Sequence, residues 1–247
     1  GRVDSPSRSP VSDHRWSFIA RYTDEAMPGI VPRGKVVGGS SAVNAQIFLR
    51  GIPEDYDTWA SWGNDKWSYE DLLPYFRMIE TDMDFPGDFH GRDGPIVVRR
   101  FKPDQWNEDQ RAFYDASLSY GFPECPDHNA PGTTGVGPTP LNNLKGIRWS
   151  TAIGYLSHVR HRRNLTISSC CLVKKVIFDG KRAVGVVADV KGETVNLMGQ
   201  NIILAGGAIG SPHLLMLSGV GPSKHICEVG IRVIHELPGV GQNLRDH

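Results

Sequence analysis

The 247-residue sequence has no excess of either charge and no long apolar run. Its 27 basic and 27 acidic residues give a formal net charge of zero. This balance argues against a nucleic-acid partner, because nucleic-acid surfaces carry a basic excess. No apolar stretch reaches the about 20 residues that a transmembrane helix needs. A soluble globular protein without a transmembrane segment is therefore expected.

Cysteine is scarce, and its spacing excludes the common metal patterns. The four cysteines form no CxxC pair and no zinc-finger spacing, so no metal site is predicted. Cys170 and Cys171 are adjacent within an apolar run, which predicts buried free thiols and a reducing compartment. Residues 1–15 are polar and rich in Pro and Ser, without the apolar core of a signal peptide. These features together predict a cytoplasmic location.

The most informative stretch is VPRGKVVGGSSAVNAQIFLRG, residues 31–51. An adjacent glycine pair is followed by two serines and then by Asn44 inside an otherwise apolar run. Glycine lacks the Cβ that would block a close approach, and serine hydroxyls can donate to an anion. Taken alone, the pattern fits either a phosphate or flat cofactor, or a tight glycine turn before a buried helix. Both alternatives stay open at this point.

Local signals predict three helices in the first two thirds of the chain. A helix over residues 40–50 would begin at the glycine–serine turn. Residues 68–80 predict a second helix, capped by Ser68 and shortened or kinked by Pro74. A third helix would end at Gly121, a residue type that favours helix termination.

The last third of the chain is predicted to be rich in strands. Residues 165–207 contain four β-rich runs separated by glycine turns. Asp179-Gly180 is a strong hairpin signal between the first two runs. The fourth run leads through glycines into an apolar helix, an order typical of a dinucleotide-binding sheet, although the sequence there is not GxGxxG.

Two long motifs resemble the signatures of one protein family. GKVVGGSSAVNAQIFLRG followed by EDYDTW resembles the first signature of the glucose–methanol–choline (GMC) family of FAD-dependent oxidoreductases. IILAGGAIGSPHLLMLSGVGP, residues 202–222, resembles the second. The resemblance implies a mixed α/β (α+β) fold, with part of an FAD-binding Rossmann-like domain and part of a substrate-binding domain, incomplete at both ends. Residues 1–65 and 160–247 would belong to the FAD-binding domain, and residues 66–159 to the partial substrate-binding domain.

The resemblance also implies which residues contact FAD. The positions that match cofactor contacts of the family are Val36, Gly39, Ser40, Asn44, Ala45, Gln46, Ile47 and Val173. Gly39 and Ser40 would face the pyrophosphate, the 44–47 run would lie along the flavin, and the backbone of Val173 would meet the adenine. Because the neighbours of Asn44 are apolar, we expect its amide to be buried and to face the ligand.

The position of Val43 predicts how FAD is held. In the choline-oxidising branch of the family, the matching residue is a histidine that is linked covalently to the flavin. Valine has no nucleophile, so FAD is expected to bind non-covalently. Arg148 and Ser150, in GIRWSTAIGYL, are interpreted as structural polar residues.

The implied reaction is oxidation of the CH–OH group of a small-molecule alcohol, with hydride transfer to flavin N5. The sequence shows neither the GxGxxG segment nor the C-terminal His pair of the family, and its nine histidines are interpreted as surface or loop residues. No catalytic residue is therefore assigned, and we expect this chain alone to be inactive unless another polypeptide supplies the missing segments. The alternatives are a non-catalytic flavin-binding remnant or subunit, or a cyanohydrin lyase on the same fold.

Overall fold

The computed structural model describes residues 13–21 and 23–245. The chain divides into two compact units, which meet in sequence between Leu165 and Thr166. The prediction for the polar N-terminal segment falls almost wholly outside the described residues.

The first unit opens with a β-hairpin and a short helical turn. Strands β1 (Arg15–Ala20) and β2 (Gly29–Gly34) pair antiparallel, so that Arg15 lies opposite Gly34. A single 3-10 turn, Gly39–Ala42, follows β2. This turn begins the segment for which the sequence predicts cofactor contacts.

Three α-helices follow in the first unit: α1 (Pro53–Ser61), α2 (Tyr69–Ile79) and α3 (Glu108–Ser119). The predicted caps are confirmed for α2 and α3. The Ser68 side chain accepts a hydrogen bond from the backbone N–H of Asp71, and Gly121 adopts a left-handed φ of 99° just after α3. Pro74 lies inside α2, which continues past it to Ile79.

Short strands form the core of the first unit. Strands β3 (Glu80–Asp82) and β4 (Ile96–Val98) pair in parallel, and all three residues of β4 are buried. A small hairpin follows, formed by β5 (Asn143–Leu144) and β6 (Ile147–Arg148). A π-helical turn, Ala152–Leu156, comes next.

The second unit is built on a three-stranded antiparallel meander. Its strands are β7 (Cys171–Asp179), β8 (Arg182–Val190) and β9 (Glu193–Met198). The predicted hairpin is confirmed, because Asp179 pairs with Arg182 across the turn. The remaining elements are α4 (Gly207–Leu217), β10 (Val220–Gly221), α5 (Ser223–Glu228) and β11 (His235–Glu236).

Three local predictions are wrong. The helix over residues 40–50 stops at Ala42, because Gln46 takes a left-handed φ of 68° and the chain beyond it runs through an isolated bridge rather than a helix. The fourth β-rich run forms no strand. Cys170 is exposed at a left-handed turn and Cys171 is only half-buried, so the expected buried thiol pair is not formed.

Among the described residues, none of the helices combines the length and apolarity that a bilayer crossing requires.

Ser218 joins α4 to the meander and provides a test of the second unit. Its Oγ accepts the backbone N–H of Val176 at 2.8 Å and donates to the carbonyl of Leu214. Ser218→Ala leaves a buried N–H without a partner and should lower the free energy of unfolding by about 1 to 3 kcal/mol. Ser169→Ala, at an exposed position, is the matched control. Equal denaturant midpoints for the two variants would contradict this role.

Candidate cofactor site

Seven of the eight predicted FAD contacts lie on one irregular, largely accessible segment of the first unit, residues 36–47. Val36 and Ile47 are exposed over 39% and 50% of their surface, and Ser40 and Ala45 are also exposed. Val173 lies apart in sequence, on β7 of the second unit, where it pairs with Ala188. The first seven therefore share one segment of the first unit, and Val173 belongs to a strand of the second unit.

The beginning of this segment depends on a close backbone approach. A Cβ added to Gly34 would lie 2.2 Å from the carbonyl oxygen of Gly39, so only glycine permits β2 to end there. The backbone N–H of Gly34 also donates to Ser40 Oγ at 3.2 Å. Gly39, in contrast, lies beside open space, because a Cβ at that position would meet no atom within 4 Å.

A cluster of hydroxyls fixes the glycine–serine turn. Ser41 Oγ donates to the carbonyl of Gly38 at 2.6 Å and accepts the backbone N–H of Thr151 at 3.0 Å. Thr151 Oγ1 donates to the same Gly38 carbonyl at 3.2 Å. Gly38 itself has a left-handed φ of 95° and lies against Ala152. Residues just before the π-helical turn therefore hold a turn more than a hundred positions earlier in the chain.

The same distant region holds the end of the segment. Asn143 Nδ2 donates to Gln46 Oε1 at 2.8 Å, and the backbone N–H of Asn142 donates to the Gln46 carbonyl at 2.7 Å. Ile47 forms an isolated bridge with Leu141. We use the term 140–152 clamp for this set of contacts from residues 140–152 to residues 38–48.

The environment of Asn44 differs from the buried one that the sequence predicts. Its side chain is exposed rather than buried, and its Oδ1 accepts the backbone N–H of Gln46 at 3.1 Å. Arg148 Nη1 donates both to Oδ1 of Asn44, at 2.9 Å, and to its main-chain oxygen. A short polar side chain that bonds to the backbone two residues later stabilises a turn in place of a helix. This interaction explains why the predicted helix does not form.

Beyond Phe48, the chain enters a buried network of charges. The Asn129 Oδ1 accepts a hydrogen bond from the backbone N–H of Arg50 at 2.9 Å, and its Nδ2 donates one to the carbonyl of Phe48 at 3.0 Å. The Arg50 guanidinium pairs with Glu80, whose side chain is fully buried. The chain just after the segment is therefore held by Asn129, whereas the glycine–serine turn at its beginning is held by Thr151.

His90 stands at the centre of this network and is only 4% exposed. Its Nδ1 lies 3.0 Å from Glu80 Oε1 and 3.2 Å from Asp82 Oδ2, and its Nε2 lies 2.8 Å from Asp127 Oδ2. His90 lies in a loop, as predicted, but its burial and its carboxylate partners were not expected from the sequence. The signal was present in β3, because Glu80 and Asp82 alternate along a strand and so share one face.

The network determines the charge state of its members. Burial by itself would lower the pKa of His90, but hydrogen bonds with Asp127, Asp82 and Glu80 raise it to about 11. Burial would raise the pKa of Asp82, yet its bonds to His90 and Arg100 hold it well below the ordinary value. His90 is therefore an imidazolium at neutral pH, surrounded by carboxylates.

The same residues could be mistaken for a metal site. Glu80, Asp82 and His90 offer three possible ligand atoms within 4.8 Å of one another. However, Arg50 already pairs with Glu80, and Arg100 pairs with Asp82 at 2.9 Å. Adding a divalent cation would leave uncompensated positive charge in a buried place. We interpret the cluster as a charge-balanced ion network.

The accessible segment has the donors and shape that a flavin dinucleotide needs. The Ser40 Oγ accepts a hydrogen bond from the backbone N–H of Gly34. Its hydroxyl proton has no acceptor among the described residues, and it can therefore be donated to a phosphate. The open side of Gly39 allows close approach, and the exposed apolar side chains of Val36 and Ile47 suit the face of a ring. The residues present therefore fit FAD.

Comparison with known proteins decides the family. A family model described as GMC oxidoreductase matches residues 21–247. The chain belongs to the GMC oxidoreductase family. The resemblance inferred from the two signatures is thus confirmed, and the mixed α/β fold of an FAD-binding protein with it.

Curated relatives of this GMC chain agree with the assignment. It is 42% identical over 238 residues to an uncharacterized GMC-type oxidoreductase of Rhodococcus erythropolis, covering 96% of this chain and 47% of the relative. It is 44% identical over 218 residues to an oxygen-dependent choline dehydrogenase of Chromohalobacter salexigens, covering 87% of this chain and 39% of the relative. The chain thus spans less than half the length of these relatives.

Solved structures agree as well. Pyridoxine 4-oxidase from Mesorbium loti superposes with a TM-score of 0.87 at 29% identity, over 92% of this chain and 45% of that one. An FAD-dependent oxidoreductase from Chaetomium thermophilum superposes with a TM-score of 0.87 at 33% identity, over 94% and 43%. The second of these neighbours is named as FAD-dependent, which indicates FAD as the cofactor of the family to which the chain belongs.

Gly34→Ala tests the close approach that opens the segment. The added methyl would collide with the backbone at Gly39, and such overpacking should lower stability by about 1 to 3 kcal/mol and displace the glycine–serine turn. Gly210→Ala is the matched control, because no atom lies within 4 Å of its added Cβ inside α4. Thermal unfolding of both variants would show the difference, and an unchanged melting temperature for Gly34→Ala would contradict the crowding.

His90→Gln tests the ion network through pH. The folded pKa of His90 lies above its unfolded value of 6.5, so its stabilisation is complete below pH 6.5 and is lost as pH rises toward about 11. His90→Gln should cost about 3 to 5 kcal/mol near neutral pH, because it leaves three buried carboxylates, Glu80, Asp82 and Asp127, with only the two arginines as cations.

The stability difference between wild type and His90→Gln should therefore shrink steadily as pH rises above neutrality. Denaturant unfolding at several pH values would measure it, with the exposed His158→Gln as control. A difference that stays constant with pH would rule out an imidazolium at this position.

Proposed function

We propose that this chain is the FAD-holding part of a GMC enzyme that oxidises the CH–OH group of a small-molecule alcohol. The observation that carries the proposal is the accessible segment 36–47, which matches the first GMC signature and is held at both ends by polar contacts. An irregular segment that is exposed yet firmly held suits a surface that receives a ligand without rearranging.

The division of work along the segment follows from its chemistry. Gly39 and Ser40 would receive the pyrophosphate, where an open approach and a free hydroxyl proton meet. The turn from Asn44 to Ile47 would lie along the flavin ring, with Ile47 against its apolar surface. Val173 would contribute its backbone to the adenine. These assignments are supported by the match of the chain to the GMC family over residues 21–247.

When bound, FAD supplies the acceptor for the hydride that leaves the alcohol carbon. The residues of this chain bind and orient the cofactor and keep its ring in one position. No general base is assigned among the described residues, since the buried His90 is already an imidazolium and donates to carboxylates. Alcohol substrates are favoured because relatives are named as choline dehydrogenase and pyridoxine 4-oxidase.

Non-covalent attachment of FAD is the more specific part of the proposal. Val43 follows the 3-10 turn and carries no nucleophilic atom. Covalent linkage at this position would need a side chain such as histidine or cysteine. Acid precipitation should therefore release the flavin into the supernatant and leave a colourless pellet.

The test uses the gene product that contains these 247 residues. Its absorption spectrum should show flavin, and mass analysis of the acid supernatant should identify FAD. Choline, pyridoxine and aryl alcohols would then be added under anaerobic conditions, with bleaching of the flavin as the readout. At least one alcohol should bleach it.

Absence of flavin would overturn the proposal as a whole. Flavin that stays with the precipitated protein would overturn non-covalent attachment only. A bound flavin that no alcohol reduces, together with cleavage of a cyanohydrin, would replace alcohol oxidation by lyase chemistry.

A further inference from the structure

Arg148 reaches the proposed flavin-facing turn from a position 104 residues later in the chain. It lies at the end of β6, and its Nη1 donates to two oxygens of Asn44, the side-chain Oδ1 at 2.9 Å and the main-chain carbonyl. Both acceptors belong to the first residue of the 44–47 run. One guanidinium nitrogen therefore fixes the backbone and the side chain of Asn44 together.

The turn that Arg148 holds is strained. Gln46 has a left-handed φ of 68°, which costs free energy for any residue other than glycine. Asn44 Oδ1 accepts the Gln46 N–H and the Arg148 donor at once, so it links the guanidinium to the strained residue. A charge-assisted hydrogen bond is stronger than a neutral one, and here it favours the rotamer of Asn44 that the turn requires.

Ion pairing does not explain the placement of Arg148. Among residues 13–21 and 23–245, no carboxylate lies within 4.0 Å of its guanidinium. Burial lowers the pKa of Arg148, and the charge of Arg15 lowers it further. Both effects disfavour the charged form of the Arg148 guanidinium. In the described part of the chain, its side chain donates hydrogen bonds only to Asn44.

We propose that Arg148 is a positioning residue for the cofactor: it acts through Asn44 to hold the 44–47 turn in the conformation that meets the flavin ring. The inference rests on the proposed function, because it takes the 44–47 turn as the flavin contact. It assigns to Arg148 a role beyond that of the structural polar residue expected from the sequence.

The test compares Arg148→Gln with the wild-type gene product. FAD is removed and titrated back, and the dissociation constant, the visible flavin spectrum and the melting temperature of the apoprotein are measured. Arg148→Gln should bind FAD at least about tenfold more weakly and shift the flavin absorption bands, because the charge-assisted bonds to the turn are lost. Arg162→Gln, whose side chain is exposed, is the matched control and should match wild type.

A double-mutant cycle tests whether Arg148 acts through Asn44. Asn44→Ala removes one acceptor and the link to Gln46. Asn44→Ala keeps the main-chain acceptor, so, if the two residues act as one unit, the double variant should lose less FAD affinity than the sum of the two single losses. Losses that simply add would overturn the proposed route through Asn44.

The remaining outcomes also decide the matter. A wild-type protein that holds no FAD would overturn the proposed function, and this inference with it. A wild type that holds FAD, beside an Arg148→Gln variant with the same dissociation constant and spectrum, would overturn this inference alone. Should Arg148→Gln fail to fold, Arg148→Lys replaces it: an affinity between those of wild type and Asn44→Ala supports positioning by the guanidinium, and wild-type affinity overturns it.

Discussion

The 140–152 clamp is the constraint on which the candidate site depends. Residues 38–48 contain left-handed positions at Gly38, Gly39 and Gln46, and the segment has no extended regular structure of its own. Its conformation comes from hydrogen bonds made by residues a hundred positions later. The surface proposed to receive a flat cofactor is thus shaped by tertiary contacts, and Val36, Ser40 and Ile47 stay exposed on it.

A second constraint acts at the other end of the segment. The buried network around His90 joins Arg50 to β3, to the loop before β4 and to Asp127. Its charges balance. Three carboxylates face three cations: Glu80, Asp82 and Asp127 on one side, and Arg50, Arg100 and the His90 imidazolium on the other. The net contribution of such a network to the free energy of folding is small. Removing any one member is nevertheless destabilising, because it leaves an uncompensated buried charge. Its contribution is therefore to define one arrangement of the loops that surround it.

Local sequence signals predicted the regular elements well, because those elements depend on neighbours in sequence. The Ser68 cap, the Gly121 stop and the Asp179-Gly180 hairpin all formed as expected. The irregular elements could not be predicted in the same way. The turn at Gln46 depends on Arg148, and nothing within the apolar run itself shows that contact. The serines of the glycine–serine turn favoured the start of a helix, and the distant hydrogen bonds prevented it.

The family signatures point to the segment 36–47 as the cofactor contact, and this assignment stays a prediction. The burial of Asn44 and the surroundings of His90 were misjudged, since both depend on partners from other elements. The GMC assignment explains why such a segment is present, and the clamp explains how it keeps its form.

We propose that residues 36–47 receive FAD in the conformation seen here. Hydrogen–deuterium exchange of the gene product, with and without FAD, distinguishes this segment from the rest of the first unit. FAD should slow amide exchange in residues 36–48, with little change in α3 of the same unit. FAD binding that leaves exchange in residues 36–48 unchanged would rule out this contact surface.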